Sequence, residues 1–301
     1  MVGRGKYKYE KNNFEVLFIV TNEKIIIFAP KLFNMTLQRW IKDRAIHGFP
    51  TFSIEDARQA GLCSSEQILQ NELSRLSANK TIANVYRGFY VIFPVQYVLR
   101  GSIPAPYYID QLMNYLRKPY YVCMLSAAEL LGAAHRRPQQ FSVMTTFPKR
   151  SVVSRRNVAT EWFYREQIPE ECIITKNTET GTIRISNALL TAADLVQYQQ
   201  HIGGLARAAT IIEELTEQID IKKHFRLLVP FVKSVVWQRL GYLLENIIEE
   251  KELADELYIQ LRSVNHHIQY TPLSTTATSE YIARDSRWKI NINTQIEIDE
   301  Q

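Results

Sequence analysis

The chain has 301 residues, of which 46% are hydrophobic and 22% are charged, a globular composition with room for two domains. Its formal net charge of +5 is uneven, because residues 1–100 carry +6, residues 101–200 carry +3 and residues 201–301 carry −4. This gradient indicates a polyanion as a partner of the first part of the chain, and a solvated surface of uneven charge is the alternative.

The first 34 residues contain an apolar stretch, "FEVLFIVTNEKIIIFAP" (residues 14–30). It is too short and too interrupted to span a membrane. The apolar core of a signal peptide should lack the internal Glu that this stretch contains. One interpretation is two short strands joined by a Thr-Asn turn. The other, which we favour, is that translation begins at Met35 and that residues 1–34 are an upstream extension.

Three helices follow. "TLQRWIKDRA" (36–45) places Leu37, Trp40, Ile41 and Ala45 on one face behind the N-cap Thr36. "SIEDARQAG" (53–61) begins with the pattern of a capping box and ends at a glycine.

The third helix lies in "SSEQILQNELSRLSANK" (64–80), where Leu69, Leu73 and Leu76 form one stripe that we expect to be buried. The next stretch, "TIANVYRGFYVIFP" (81–94), predicts a hairpin that turns at Arg87-Gly88 and stops at a proline. Two strands alone are marginally stable, so the hairpin must pack on the helices. Residues 35–95 are therefore predicted to be a winged helix-turn-helix.

Residues 96–301 predict a larger mixed α+β domain with a helical C-terminal part, which makes the whole chain α+β. The periodicity predicts helices over 107–116, 120–134, 187–201, 204–219, 226–250 and 251–263. It predicts strands over 141–147 and 158–165, a hairpin over 172–186 that turns near Thr180-Gly181, and strand-like alternation in the tail.

The helix over residues 65–77 is the candidate recognition helix. With its leucines buried, the opposite face offers Asn and Gln, which pair with adenine, and Arg, which pairs with guanine. The candidate base-reading residues are Ser65, Gln67, Gln70, Asn71, Ser74 and Arg75. A solvent-facing helix is the alternative, favoured by Glu66 and Glu72, and a protein-interaction module is another.

Basic residues outside this helix suit DNA phosphates or a minor groove. They are Lys80, the turn residue Arg87, and Lys149, Arg150, Arg155 and Arg156 in "PKRSVVSRRN". The alternative for this last cluster is a solvated loop.

The sequence contains no motif of a known enzyme class that we recognise: no P-loop, no G-x-G-x-x-G, no H-E-x-x-H and no G-x-S-x-G. Cys63, Cys123 and Cys172 are far apart without a C-x-x-C pattern, which predicts a reducing cytoplasm and neither disulfides nor a zinc site. Glu170-Glu171 and Lys176 lack the spacing of a nuclease cluster. We therefore expect no enzymatic activity, no cofactor, no metal and no membrane contact.

The sequence resembles the AbiEi family of antitoxins from type IV abortive-infection toxin–antitoxin systems. The resemblance rests on "VYRGFYVIFP", "YYVCMLSAAELLGAAHRRPQQFSVMTT", "IRISNALLTAADLVQYQQHIGGLARAATIIEEL", "WQRLGYLLE" and the closing "PLS…RWKININTQIEID", and it runs from about Met35 to the end.

The resemblance implies a division of labour between residues 35–95 and residues 96–301. The winged helix would bind double-stranded DNA at its own promoter and repress the operon, as a form of phage defence. Because two copies of one winged helix can each read a half-site, we expect the DNA site to be an inverted repeat. The second domain would neutralise a nucleotidyltransferase toxin, with direct contact between the two proteins left open. Two alternatives remain: a stand-alone winged-helix regulator whose second domain senses a ligand or a protein, and a nucleic-acid enzyme targeted by the winged helix.

Overall fold

The computed structural model describes residues 6–11, 14–21, 24–28, 35–133, 138–149, 160–264, 268–275, 277 and 280–297. The chain opens with strands β1 (Lys6–Lys11), β2 (Phe14–Thr21) and β3 (Lys24–Phe28), paired antiparallel in that order. The interpretation of residues 14–30 as two short strands is thus confirmed, with β1 added to them. The start of translation at Met35 stays a prediction.

The next elements form what we call the helix–hairpin unit (residues 37–92). They are α1 (Leu37–Ile46), β4 (Thr51–Ser53), α2 (Ile54–Gln59), α3 (Glu66–Ala78), β5 (Ile82–Tyr86) and β6 (Phe89–Ile92). The three predicted helices and the predicted hairpin are confirmed. The three-residue β4, which carries too little pattern to predict, pairs with β6 and gives an antiparallel sheet of order β4-β6-β5.

Side-chain caps fix where these helices begin. The Thr36 hydroxyl accepts a hydrogen bond from the Arg39 amide, and Ser53 and Asp56 form the predicted capping box with bonds of 3.0 and 2.7 Å. Leu37 and Ile41 are buried as expected, whereas Ala45 is exposed, so the apolar face of α1 is shorter than predicted.

The sheet of this unit is buried on both faces. Tyr90 and Ile92 of β6 pack with the helices, while Phe89 and Val91 pack against residues beyond position 100. The predicted packing of the hairpin on the helices is therefore confirmed for one face only. The all-apolar run "FYVI" is typical of a strand buried on both sides.

A five-stranded mixed sheet of order β10-β11-β7-β8-β9 forms the centre of the rest of the chain. The elements up to its last strand are α4 (Val95–Val98), α5 (Ile109–Leu116), β7 (Tyr120–Val122), α6 (Met124–Leu131), β8 (Phe141–Thr146), β9 (Thr160–Arg165), β10 (Ile173–Thr178) and β11 (Gly181–Ser186).

Helices then cover this sheet and a small terminal sheet closes the fold. They are α7 (Ala188–Gln197), α8 (Gln199–Ile202), α9 (Leu205–Leu215), α10 (Ile221–Leu228), α11 (Ser234–Asn246) and α12 (Lys251–Ser263), followed by β12 (Thr271–Pro272), β13 (Ala283–Asp285) and β14 (Ile290–Ile292). The order of the terminal sheet is β12-β14-β13. The fold is mixed α+β, as predicted.

Three predicted helices are wrong as single elements, and residues 187–201 are one of them, since α7 ends at Gln197 and α8 starts at Gln199. Residues 120–134 begin as the buried strand β7 and become helical only at Met124. Residues 226–250 form two helices, since α10 ends at Leu228 and α11 starts at Ser234. Pro230 lies in the gap, where its missing amide hydrogen and its ring oppose a continuous helix.

The largest core lies between the central sheet and the helices that follow it. It includes Tyr121, Phe163, Leu195, Trp237 and Trp288, all buried. All three cysteines are free, with Cys123 and Cys172 buried and Cys63 partly exposed. No helix in the described part of the chain combines the length and the apolar character that crossing a membrane requires.

Candidate nucleic-acid interface and antitoxin domain

The face of α3 opposite its leucines is exposed, as predicted. Leu69, Leu73 and Leu76 are 3% exposed or less, and this burial turns the polar face outward. Every predicted base-reading residue lies on the exposed surface: Ser65, Gln67, Gln70, Asn71, Ser74 and Arg75. Ser65 is also the N-cap, because its hydroxyl accepts a hydrogen bond from the Ile68 amide.

Carboxylates already engage the arginines at this face. Arg75 donates to Glu72 over 2.8 Å, and Arg58 of α2 donates to Glu66 over 2.7 Å and to Glu55 over 3.0 Å. The bonds from Arg58 lower the pKa of Glu66 to about 2. Solvent screens exposed pairs of this kind, so Arg75 can exchange Glu72 for another acceptor at small cost.

The amides on α3 are also paired within the helix. Gln67 donates to the Asn71 carbonyl oxygen over 3.1 Å, and Gln70 donates to Glu66 over 3.0 Å. These contacts one turn apart keep the amides extended along the helix surface.

Two of the predicted phosphate-binding residues, Lys80 and Arg87, lie after α3. Lys80 follows the helix with a left-handed φ of 52°, and Arg87 occupies the β5–β6 turn beside Gly88. Neither makes an ion pair with any residue that the structure describes. The Arg87 carbonyl accepts a hydrogen bond from the Tyr115 hydroxyl of α5 over 3.3 Å.

Between α3 and the hairpin lies a cleft of about 990 Å³, which we call the α3–hairpin cleft. Its polar lining comes from α2, α3, the hairpin and α5: Arg58, Gln70, Ser74, Ser77, Asn84, Tyr86, Arg87 and Tyr115. Sequence reasoning missed Arg58, Tyr86 and Tyr115 here, because they come from elements whose mutual placement no local pattern encodes.

Lys149 lies beside Tyr164 of β9. Its ammonium group is 5.5 Å from the centroid of the Tyr164 ring. Burial, and to a lesser degree interaction with Tyr86 of the hairpin, raise the pKa of Tyr164. The other predicted members of this basic cluster, Arg150, Arg155 and Arg156, lie outside the described residues.

A buried polar network links the central sheet to the helices. Tyr121 of β7 donates to Asp194 of α7 over 2.9 Å, and Arg165 of β9 donates to the Tyr121 oxygen over 2.6 Å and to the Phe231 carbonyl over 2.9 Å. Burial raises the pKa of Asp194 to about 6, against the opposing effects of Arg165 and Tyr121. A single Asp within the apolar run "ALLTAADLVQ" is the signal that sequence reasoning overlooked.

The stretch from β7 to α11 holds this network and the whole central sheet, and a family model matches it. The match, to the AbiEi antitoxin C-terminal domain, covers residues 120–246. We refer to the matched residues 120–246 as the AbiEi domain. The AbiEi domain thus contains Tyr121, Arg165 and Asp194, and the predicted resemblance is confirmed for it.

A solved structure shares a larger part of the fold. The chain is similar to the crystal structure of the RV2827C protein from Mycobacterium tuberculosis, with a TM-score of 0.62 and 15% identity. The similarity covers 84% of this chain and 89% of that one, so it extends beyond the AbiEi domain. At this identity it shows a common fold. No curated protein matches the chain.

Proposed function

We propose that the protein is the antitoxin of a type IV toxin–antitoxin pair, which neutralises a nucleotidyltransferase toxin and represses its own operon. The observation that carries the antitoxin role is the AbiEi domain itself. The toxin and the mode of neutralisation follow from the family resemblance and are part of the proposal.

The helix–hairpin unit is, in this proposal, a winged helix-turn-helix that binds double-stranded DNA. Three helices followed by a hairpin, with α3 displaying six exposed polar residues, fit a recognition helix beside a wing. Lys80 after α3 and Arg87 at the hairpin turn supply cations, and Lys149 is a further candidate phosphate contact within residues 96–301. Residues 35–95 and 96–301 remain the proposed domains.

Co-expression of the full chain with the neighbouring nucleotidyltransferase, scored by growth, tests the antitoxin role. We expect the chain to restore growth. Continued arrest at matched expression levels would favour a stand-alone regulator instead.

A gel-shift titration with DNA from upstream of the operon tests the second role. We expect tighter binding to an inverted repeat than to random DNA at physiological salt, since two copies would each read one half-site. Equal binding to both would favour a protein-interaction role for α3, for which the Arg–Glu pairs along its face are a suitable surface.

A further inference from the structure

The α3–hairpin cleft has the position and the lining of a channel for one DNA strand. Gln70, Ser74 and Ser77 of α3 form one wall, and Asn84 and Tyr86 of β5 belong to the other. Ser77, Asn84 and Tyr86 end in hydroxyl or amide groups, which donate hydrogen bonds to phosphate oxygens without reading sequence. Gln70 and Ser74 are the candidate base-reading residues that border the cleft.

The geometry of duplex DNA explains what would enter such a cleft. The major and minor grooves are separated by a single sugar–phosphate strand. If α3 lies in the major groove and the hairpin turn reaches the adjacent minor groove, that strand must pass between them. The cleft is the space between these two elements.

Charge at the cleft points to Arg87 as its main cation. Arg58 also lines the cleft, but Glu55 and Glu66 neutralise its guanidinium. Arg87 forms no ion pair within the described ranges, so its charge is available to a phosphate.

The second domain holds the turn that carries Arg87. The Tyr115 hydroxyl donates to the Arg87 carbonyl, and the Tyr115 ring lies 5.2 Å from that of Phe89 and 6.4 Å from that of Tyr86. A Cβ atom added at Gly88, where φ is +73°, would come within 3.0 Å of the Tyr115 hydroxyl oxygen. The turn is therefore packed closely against α5.

The helix that carries Tyr115 is itself fixed. Leu112 and Leu116 of α5 are buried in the same cluster as Val85, Phe89 and Val91 of the hairpin. Tyr115 thus belongs to a helix that shares an apolar core with β5 and β6.

We propose that the α3–hairpin cleft binds one sugar–phosphate strand of duplex DNA, and that Tyr115 of the second domain positions Arg87 for a phosphate in that cleft. This inference rests on the proposed DNA binding by α3. It makes the DNA site a joint product of residues 35–95 and of α5, which lies outside them.

The test uses the full chain and a duplex from its upstream region. The hydroxyl is removed by Tyr115→Phe, and Tyr281→Phe is the control, since Tyr281 is half exposed in the tail and far along the chain from α5. We expect Tyr115→Phe to weaken binding about 2- to 10-fold, the range for a lost hydrogen bond, and the control to bind as the wild type does.

A double-mutant cycle separates positioning from general destabilisation. Arg87→Ala should lower the slope of log Kd against log salt by about 1, as expected for one lost phosphate contact. Adding Tyr115→Phe to Arg87→Ala should then have no further effect. Gly88→Ala, which displaces the turn, should weaken binding in the same salt-dependent way.

Ethylation interference on the operator gives a readout that depends on where the strand lies. We expect interference at phosphates between the major groove read by α3 and the adjacent minor groove, and its loss in Arg87→Ala. If the wild type binds its upstream DNA specifically but Tyr115→Phe and Gly88→Ala bind equally well, the inference is overturned and the proposed function stands. If the wild type does not prefer its upstream DNA, both fail.

Discussion

Asp194 is the clearest case of a single residue whose environment sets its chemistry. It is 1% exposed, its carboxylate accepts a hydrogen bond from the Tyr121 hydroxyl, and Arg165 donates to the same hydroxyl oxygen. Burial therefore outweighs the opposing effects of Arg165 and Tyr121, and the pKa of Asp194 rises to about 6.

The raised pKa of Asp194 predicts a pH-dependent stability. The folded state retains the proton up to about pH 6, whereas an unfolded Asp releases it near pH 4, so this residue lowers stability as the pH rises between those values. The effect amounts to roughly 3 kcal/mol. Asp194→Asn removes it, so thermal unfolding from pH 4 to pH 7 should show the wild type losing stability relative to Asp194→Asn. A difference that does not vary with pH would contradict this.

Asn71 and Arg75 of α3 are candidate base-reading residues, and Arg75 is paired with Glu72. Asn71→Ala and Arg75→Ala should each cost roughly 1–3 kcal/mol of binding free energy and relax base preference locally. Glu72→Gln complements Arg75→Ala, because it frees Arg75 from its ion pair and removes a charge that repels phosphates. We expect Glu72→Gln to tighten DNA binding in a gel shift, and unchanged affinity would argue that α3 lies away from the duplex.

At the scale of elements, capping and periodicity predicted most of the helix boundaries. The N-caps Thr36 and Ser65 and the capping box at Ser53 are present, because side-chain caps are encoded within four residues. The site residues on α3 followed from the same local periodicity. Tyr115 and Asp194 did not, since their roles depend on contacts 28 and 73 residues away along the chain.

Helix α11 contains a glycine that its tertiary packing requires. A Cβ atom at Gly241 would lie 2.1 Å from the Trp288 ring, which is fully buried and donates a hydrogen bond to Glu245. Gly241→Ala should therefore lower the free energy of unfolding by about 1–3 kcal/mol, although alanine favours helices. Urea denaturation measures this, with the exposed Asn246→Ala as the control. An equal or higher stability for Gly241→Ala would show that the terminal sheet can shift.

At the scale of the whole molecule, the sheet of the helix–hairpin unit joins two cores. One face packs with Leu69 and Leu73, and the other packs with Tyr108 and Leu112. The elements on the two sides of the proposed boundary near residue 95 therefore share one apolar core.

This shared core predicts cooperative unfolding of the helix–hairpin unit and the central sheet. We expect one calorimetric transition for the two, since unfolding either would expose the strands between them. Val91→Ala, at the shared face, should lower the midpoint, while Val95→Ala should leave it unchanged because Val95 is 88% exposed. Two separate transitions would show that residues 35–95 unfold independently.

The different burial of the three cysteines has a practical consequence for labelling. Cys123 and Cys172 are enclosed, while Cys63 is partly exposed in the turn that leads into α3. A maleimide should react with the native protein at this one position, although slowly, because burial and Glu72 raise the pKa of the Cys63 thiol. A fluorophore placed there stands beside the N-terminus of α3, and operator DNA should shield it from quenchers in solution.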